Sequence, residues 1–146
     1  MRNAFSMLTA IFIIVLMATV AAFIMNLSGK MVKETTVQFQ REQAMLLAKS
    51  YTEYAIMAVT ANDQNTTCLN SINGSYKDYK VNVNISYIGH HNILNGGCTN
   101  ILNPVNDVIS PKSPLNIIVD VFVRYPDYDH PDDLNMTYHR RSLQKI

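Results

Sequence analysis

Hydrophobic and polar residues follow two different patterns along this chain of 146 residues. The first is an uncharged apolar run over residues 5–25, and no charged residue lies between Arg2 and Lys30. As an α-helix, this run would be about 30 Å long, which matches the hydrocarbon thickness of a lipid bilayer. The pattern therefore predicts a membrane-spanning helix in this part of the chain.

The helical pattern continues beyond the apolar run. From Lys30 to Ala61 there is no proline, and small or apolar residues recur with the spacing of one helix face. They are Ala44, Leu47, Ala48, Tyr51, Tyr54, Ala55 and Ala58. We therefore expect one continuous helix over residues 5–61, with a transmembrane half at 5–29 and an amphipathic half at 30–61.

The second pattern is a two-residue alternation of apolar and polar side chains, which is typical of half-buried β-strands. It occurs at residues 79–87, 115–125 and, more weakly, 136–143. Segments rich in Asn, Gly, Ser and Thr, at 62–74 and 90–106, indicate loops. Short connections and alternation favour antiparallel pairing. The sequence predicts an α+β fold, in which a long N-terminal helix packs on a small antiparallel β-sheet within residues 62–146.

A short basic leader is followed by a phenylalanine and then by an apolar helix. In this order of features the chain resembles the type IV pilins and the type II secretion pseudopilins. Residues 1–4 would be the leader, and Phe5 would be the first residue of the mature chain. In that family a prepilin peptidase cuts before this phenylalanine and usually methylates its amine. The resemblance therefore implies that Ala4 and Phe5 form the processing site, with Ala4 in place of the more usual glycine.

Thr9 lies where most members of this family carry a glutamate, at the fifth position of the mature chain. In the family, that glutamate is thought to neutralise the amino terminus of a neighbouring subunit, because a buried unpaired charge is costly. Thr9 carries no charge, and we expect it to act only in helix packing. Minor subunits at filament tips are the members that most often lack the glutamate, so the resemblance implies a minor pilin or pseudopilin.

The resemblance implies a non-enzymatic structural subunit of a type II secretion or type IV pilus assembly. Its partners would be other pilin or pseudopilin subunits, the prepilin peptidase, inner-membrane lipid and secreted cargo, with the C-terminal domain in the periplasm. No catalytic motif is recognised, so no enzyme activity or cofactor is expected, and with a net charge of +1 no nucleic acid is expected. Two alternatives stay open: a cleaved signal peptide, and the permanent anchor of a sensor or ligand-binding domain.

Cys68 and Cys98 are the two cysteines of the chain. Because disulfides persist in oxidising compartments, we expect this pair to be bonded in an extracytoplasmic domain. The bond would contribute about 3–4 kcal/mol by restricting the unfolded chain. The alternative is two free thiols in a cytoplasmic domain, an orientation that Lys30 and Lys33 would favour.

The densest polar cluster lies in the segment between the last two predicted strands. Its carboxylates are Asp127, Asp129, Asp132 and Asp133. Carboxylate oxygens are calcium ligands, but the EF-hand spacing is missing, so an acidic turn is expected rather than a metal site.

Two further polar features are noted. Asn65 and Asn135 begin Asn-x-Thr sequons with an aspartate two residues upstream, and both are candidates for glycosylation. The basic segment 139–141 is expected to be a solvated strand end.

Overall fold

The computed structural model describes residues 2–63, 67–89, 94, 98–102, 115–127 and 135–146, with side chains from Met7 onward. Within these residues, one helix, α1 (Arg2–Ala61), precedes four strands: β1 (Ser71–Tyr76), β2 (Tyr79–Gly89), β3 (Leu115–Pro126) and β4 (Asn135–Lys145). The strands form one sheet in the order β1-β2-β3-β4, and each neighbouring pair is antiparallel. The α+β prediction is confirmed.

The chain divides into two compact units, Met1–Phe39 and Gln40–Ile146. All described residues of the first unit belong to α1, and its large apolar side chains are widely exposed. In the second unit, the remainder of α1 and the sheet share one hydrophobic core.

The core of the second unit lies between one face of α1 and one face of the sheet. We call this side of the sheet its inner face, and the opposite side its outer face. The helix contributes small or β-branched residues that are fully buried: Ala44, Ala48, Ala55 and Val59. The central strands contribute Val81, Val83, Ile85, Tyr87, Leu115, Ile117, Val119, Val121 and Val123. The predicted two-residue alternation in β2 and β3 is thereby confirmed.

The buried face of the helix differs from the predicted face at several positions, including Val59 and Gln40, which are buried although the spacing did not assign them to it. Tyr54, which the spacing assigns to the apolar face, is 53% exposed, whereas Thr52 is only 1% exposed. Thr52 can be buried because its hydroxyl donates a hydrogen bond of 2.7 Å to the carbonyl of Ala48.

β1 corrects the prediction of a loop over residues 62–74, because the strand begins at Ser71. The turn to β2 is made by Lys77 and Asp78, and Lys77 has a φ of 51°, in the left-handed region that tight hairpins use. The composition of β1 is that of a loop. Its strand structure comes from pairing with β2 rather than from the propensities of its residues.

Gly74 in β1 lets the ring of Tyr51 on α1 lie directly against the strand. A Cβ atom added at Gly74 would overlap the Tyr51 hydroxyl and lie 2.6 Å from its Cζ. This close approach fixes the helix over the β1 side of the sheet, and it requires a glycine at this position.

Candidate functional site

The first candidate surface is the apolar part of α1 in the first unit. Its large side chains are at least half exposed, for example Met7 at 73%, Leu16 at 52% and Met25 at 78%. By length and composition this helix could cross a membrane, and its most apolar stretch is 0% buried in the protein. A contiguous apolar surface of this size calls for lipid or other apolar helices to cover it.

The positions implied in processing and packing all lie in α1, which begins at Arg2. The backbone of Ala4 and Phe5 is helical, and Thr9 is exposed on the helix surface. Their roles stay predictions. Further along, the Thr19 hydroxyl donates a 2.8 Å hydrogen bond to the Leu16 carbonyl, so the helix itself satisfies this polar group inside the apolar run.

On α1 within the second unit, two large apolar side chains, Leu46 and Met57, are exposed on the side that faces away from the sheet, with the exposed Glu53 between them. Leu46 is 56% exposed and Met57 is 61% exposed. Because they are roughly three helical turns apart, they lie on one face of the helix. That face is opposite the one that buries Ala48 and Ala55 against the sheet, so the fold of this unit does not use it. The apolar spacing did not identify Leu46 and Met57, because they lie outside the predicted apolar face.

A disulfide joins Cys68 to Cys98, whose Cα atoms are 4.8 Å apart, so the predicted bond is confirmed. Beside it, the Tyr87 hydroxyl donates a 2.7 Å hydrogen bond to the Leu69 carbonyl, and the Tyr87 backbone amide donates one of 2.8 Å to Asn100. Burial raises the pKa of the Tyr87 hydroxyl, which therefore stays protonated. Together these contacts fasten two chain segments to the end of β2.

The outer face of the sheet carries Asp120, a carboxylate that is only 7% exposed. Arg141 on β4 binds both of its oxygens, with Nε 2.7 Å from Oδ1 and Nη2 2.9 Å from Oδ2. His139 Nε2 lies 2.8 Å from Oδ1. The hydrogen bonds from Arg141 hold the pKa of Asp120 below its ordinary value, so the carboxylate is charged at neutral pH.

His139 also stacks on Phe122, with ring centroids 4.4 Å apart and planes inclined by 9°. The register places His139 opposite Phe122 and Arg141 opposite Asp120. Since alternate residues of a strand share a face, His139 and Arg141 lie on the outer face, while Arg140 lies on the inner face. The prediction of a simple solvated strand end is therefore incomplete. Its missed signal was the two-residue spacing of His139 and Arg141.

A shallow concavity lies at one end of the outer face. It is lined by Asn73, Ser75, Lys80, Asn82, Phe122 and Arg124. Lys80 on β2 lies directly opposite Arg124 on β3. Within the described part of the chain, neither cation forms an ion pair. Asn82 Nδ2 donates a 2.5 Å hydrogen bond to Asn73 Oδ1, which orients the two amides on the concavity wall.

The remaining predicted sites are mostly not described by the structure. Asn65, Asp129, Asp132 and Asp133 lie outside the described residues. Asn135 is the first residue of β4 and is exposed, and Asp127 directly follows β3. No group of three or more His, Cys, Asp or Glu side chains that could hold a metal ion occurs among the described residues.

Comparison of this chain with protein-family models, with curated proteins and with solved structures gives no match in any of the three.

Proposed function

We propose that this chain is a non-enzymatic, pilin-like structural subunit. It would be anchored by one span in the bacterial inner membrane before it joins a filament of a type II secretion or type IV pilus machine. The observation that carries the proposal is that apolar exposure continues beyond the membrane-length run, at Leu46 and Met57 on the side of the helix that faces away from the sheet. About 20 apolar residues suffice to span a bilayer, so a simple anchor has no use for these two exposed side chains. They suit contact with a helix of a neighbouring protein subunit.

Assembly would begin with removal of residues 1–4, which makes Phe5 the first residue. The exposed apolar segment would then exchange lipid contacts for contacts with other subunits. Association of helices in lipid depends on close packing at small residues, which Ala18, Ala21 and Ala22 provide. Because Thr9 is uncharged, it neither needs nor supplies a counter-charge in the filament, and this favours a minor position over a repeated one. The disulfide-bonded sheet domain would lie in the periplasm and contact neighbours or cargo.

Intact mass and N-terminal sequencing of the membrane-extracted protein from its own cell test the processing step. We expect a start at Phe5, with or without one methyl group. Ala4→Gly, which introduces the residue most family members carry, is the matched control and should also be cut. Ala4→Trp places a bulky side chain at the cleavage site and should remain uncut. A wild-type start at Met1 or at Phe23 would contradict the proposal.

Cysteine cross-linking in membranes tests the proposed subunit contact. Leu46→Cys and Met57→Cys should give cross-linked species when the other components of the machine are present, because they are exposed on the side of the helix that faces away from the sheet. Lys145→Cys is the control, since Lys145 is exposed on β4 rather than on this helix. Equal cross-linking at Lys145 would indicate random collision and would remove this support.

A second candidate function is an unprocessed, single-pass membrane-anchored domain that senses or binds a ligand. The concavity with Lys80 and Arg124 favours it, because two neighbouring cations beside amide groups can hold an anion. A start at Met1, together with no cross-linking at Leu46 or Met57, would favour this function over the first.

A further inference from the structure

The chain as a whole has a net charge of only +1, but the outer face of the sheet carries more cations than anions. The one acid within the four strands, Asp120, is already bound by Arg141 and His139. Lys80 and Arg124 then have no described acidic partner on this face. The outer face is therefore locally cationic, although the chain as a whole is almost neutral.

The pair Lys80 and Arg124 is not explained by the fold. Like charges at directly opposed positions of antiparallel strands destabilise a sheet. Their Cβ atoms are roughly 5 Å apart in this geometry, so both cationic groups can reach one anion between them. Two neighbouring cations whose placement costs stability are a candidate site for an anionic ligand.

The groups around the two cations narrow the ligand class. Phe122 lines the concavity and is held in place by its stack on His139, so it can support a second flat ring. The Asn73 and Asn82 amides and the Ser75 hydroxyl supply donors and acceptors at the same rim. A carboxylate alone would use only the cations, whereas a nucleotide would use the cations, the ring and the amides.

We propose that this concavity binds a nucleotide unit of single-stranded nucleic acid. The phosphate would lie between Lys80 and Arg124, and the base would stack at Phe122. Sequence-tolerant binding of single strands commonly combines cations along the backbone with aromatic rings under the bases. The proposal replaces the expectation of no nucleic-acid partner. It rests on the sheet alone and not on the filament proposal.

Fluorescence anisotropy with the full chain in uncharged detergent and a labelled oligothymidylate tests the proposal. The double variant Lys80→Gln with Arg124→Gln should weaken binding at least tenfold and lower the salt slope by about 1–2. Phe122→Leu should weaken binding on the order of tenfold, because it removes the stacking ring. Lys145→Gln is the control for charge outside the concavity: it removes one positive charge from the outer face, against two in the double variant, and should change affinity less than about twofold.

Competitors distinguish the source of the anion. Unlabelled oligothymidylate should displace the labelled probe, because both bind at Lys80 and Arg124. Thymidine monophosphate should do the same at a higher concentration. Equal displacement by a polyglutamate peptide or by duplex DNA would overturn the proposal, as would a Phe122→Leu variant with unchanged affinity or a Lys145→Gln variant as weak as the double variant. Melting of each variant checks its fold. The double variant should melt no lower than wild type, because it removes a repulsion.

Discussion

The two faces of the sheet show two ways in which one set of strands can be stabilised. On the inner face, Val83, Ile85 and Val121 are fully buried under the helix and contribute through the removal of apolar surface from water. On the outer face, Asp120 is nearly as buried but has no helix over it. It is covered by the side chains of Arg141 and His139, which also satisfy its oxygens.

The two faces therefore differ in which substitutions they tolerate and in which positions are available for binding. The inner face is constrained everywhere by packing, because interiors are close-packed and feel the loss of single methylene groups. On the outer face, the hydrogen bonds of the Asp120 cluster constrain its residues. The cations of the concavity, Lys80 and Arg124, are not constrained in this way. Variation of matched residues on the two faces can therefore tell structural positions from binding positions.

The largest expected effect comes from removing the same atoms on each face. Ile85→Ala, at 0% exposure on the inner face, should lower the free energy of unfolding by about 3–4 kcal/mol. Ile118→Ala is the matched control, since Ile118 is half-buried on the outer face, and should cost about 1 kcal/mol. Denaturant unfolding of the full chain in detergent measures both. Equal losses would mean that the outer face is covered as fully as the inner face.

A smaller effect is expected where the helix meets the inner face at β1. Gly74→Ala should lower the free energy of unfolding by about 2 kcal/mol, because the new methyl group meets the Tyr51 ring. In a double-mutant cycle, Tyr51→Ala should remove most of this cost. Gly29→Ala has no atom within 4 Å of the added Cβ and should not destabilise the protein. A full additive loss in the double variant would place the cause outside this contact.

The same comparison explains what sequence reasoning could reach. The inner face is encoded by alternation, so residues such as Val83 and Val121 could be assigned from period alone. The Asp120 cluster needs the register of β3 against β4, which brings together residues distant in sequence. β1 was hidden for a related reason, since its loop-like residues become a strand only through pairing with β2. Predicting the concavity likewise requires knowing which residues of neighbouring strands lie opposite one another. The two-residue alternation within one strand does not give this information.

The outer-face cluster should be visible in the pH dependence of stability. Arg141 lowers the pKa of Asp120 in the folded state below its ordinary value of 3.8. The contribution is therefore fully present above about pH 4, and it is lost as the pH falls through the folded-state pKa. Unfolding measured at pH 7 and at successively lower pH should show a steeper acid loss for wild type than for Asp120→Asn. Parallel curves would contradict a charged, paired Asp120. The loss should be smaller than that of Ile85→Ala, because Arg141 is largely exposed.

The smallest expected effect on stability concerns two adjacent arginines of β4. Replacing them should change the free energy of unfolding in opposite directions, because they lie on opposite faces of the sheet. Arg140 lies on the inner face opposite Val121, and its Nε is buried with no hydrogen-bond partner in the described structure. Arg141 Nε, on the outer face, is 2.7 Å from Asp120 Oδ1. Because a buried donor without a partner costs about 1–3 kcal/mol, Arg140→Met should raise the free energy of unfolding by about 1 kcal/mol. Arg141→Met removes the same charge but should lower the free energy of unfolding. Denaturant curves of the two variants that shift in the same direction would refute this difference between the faces.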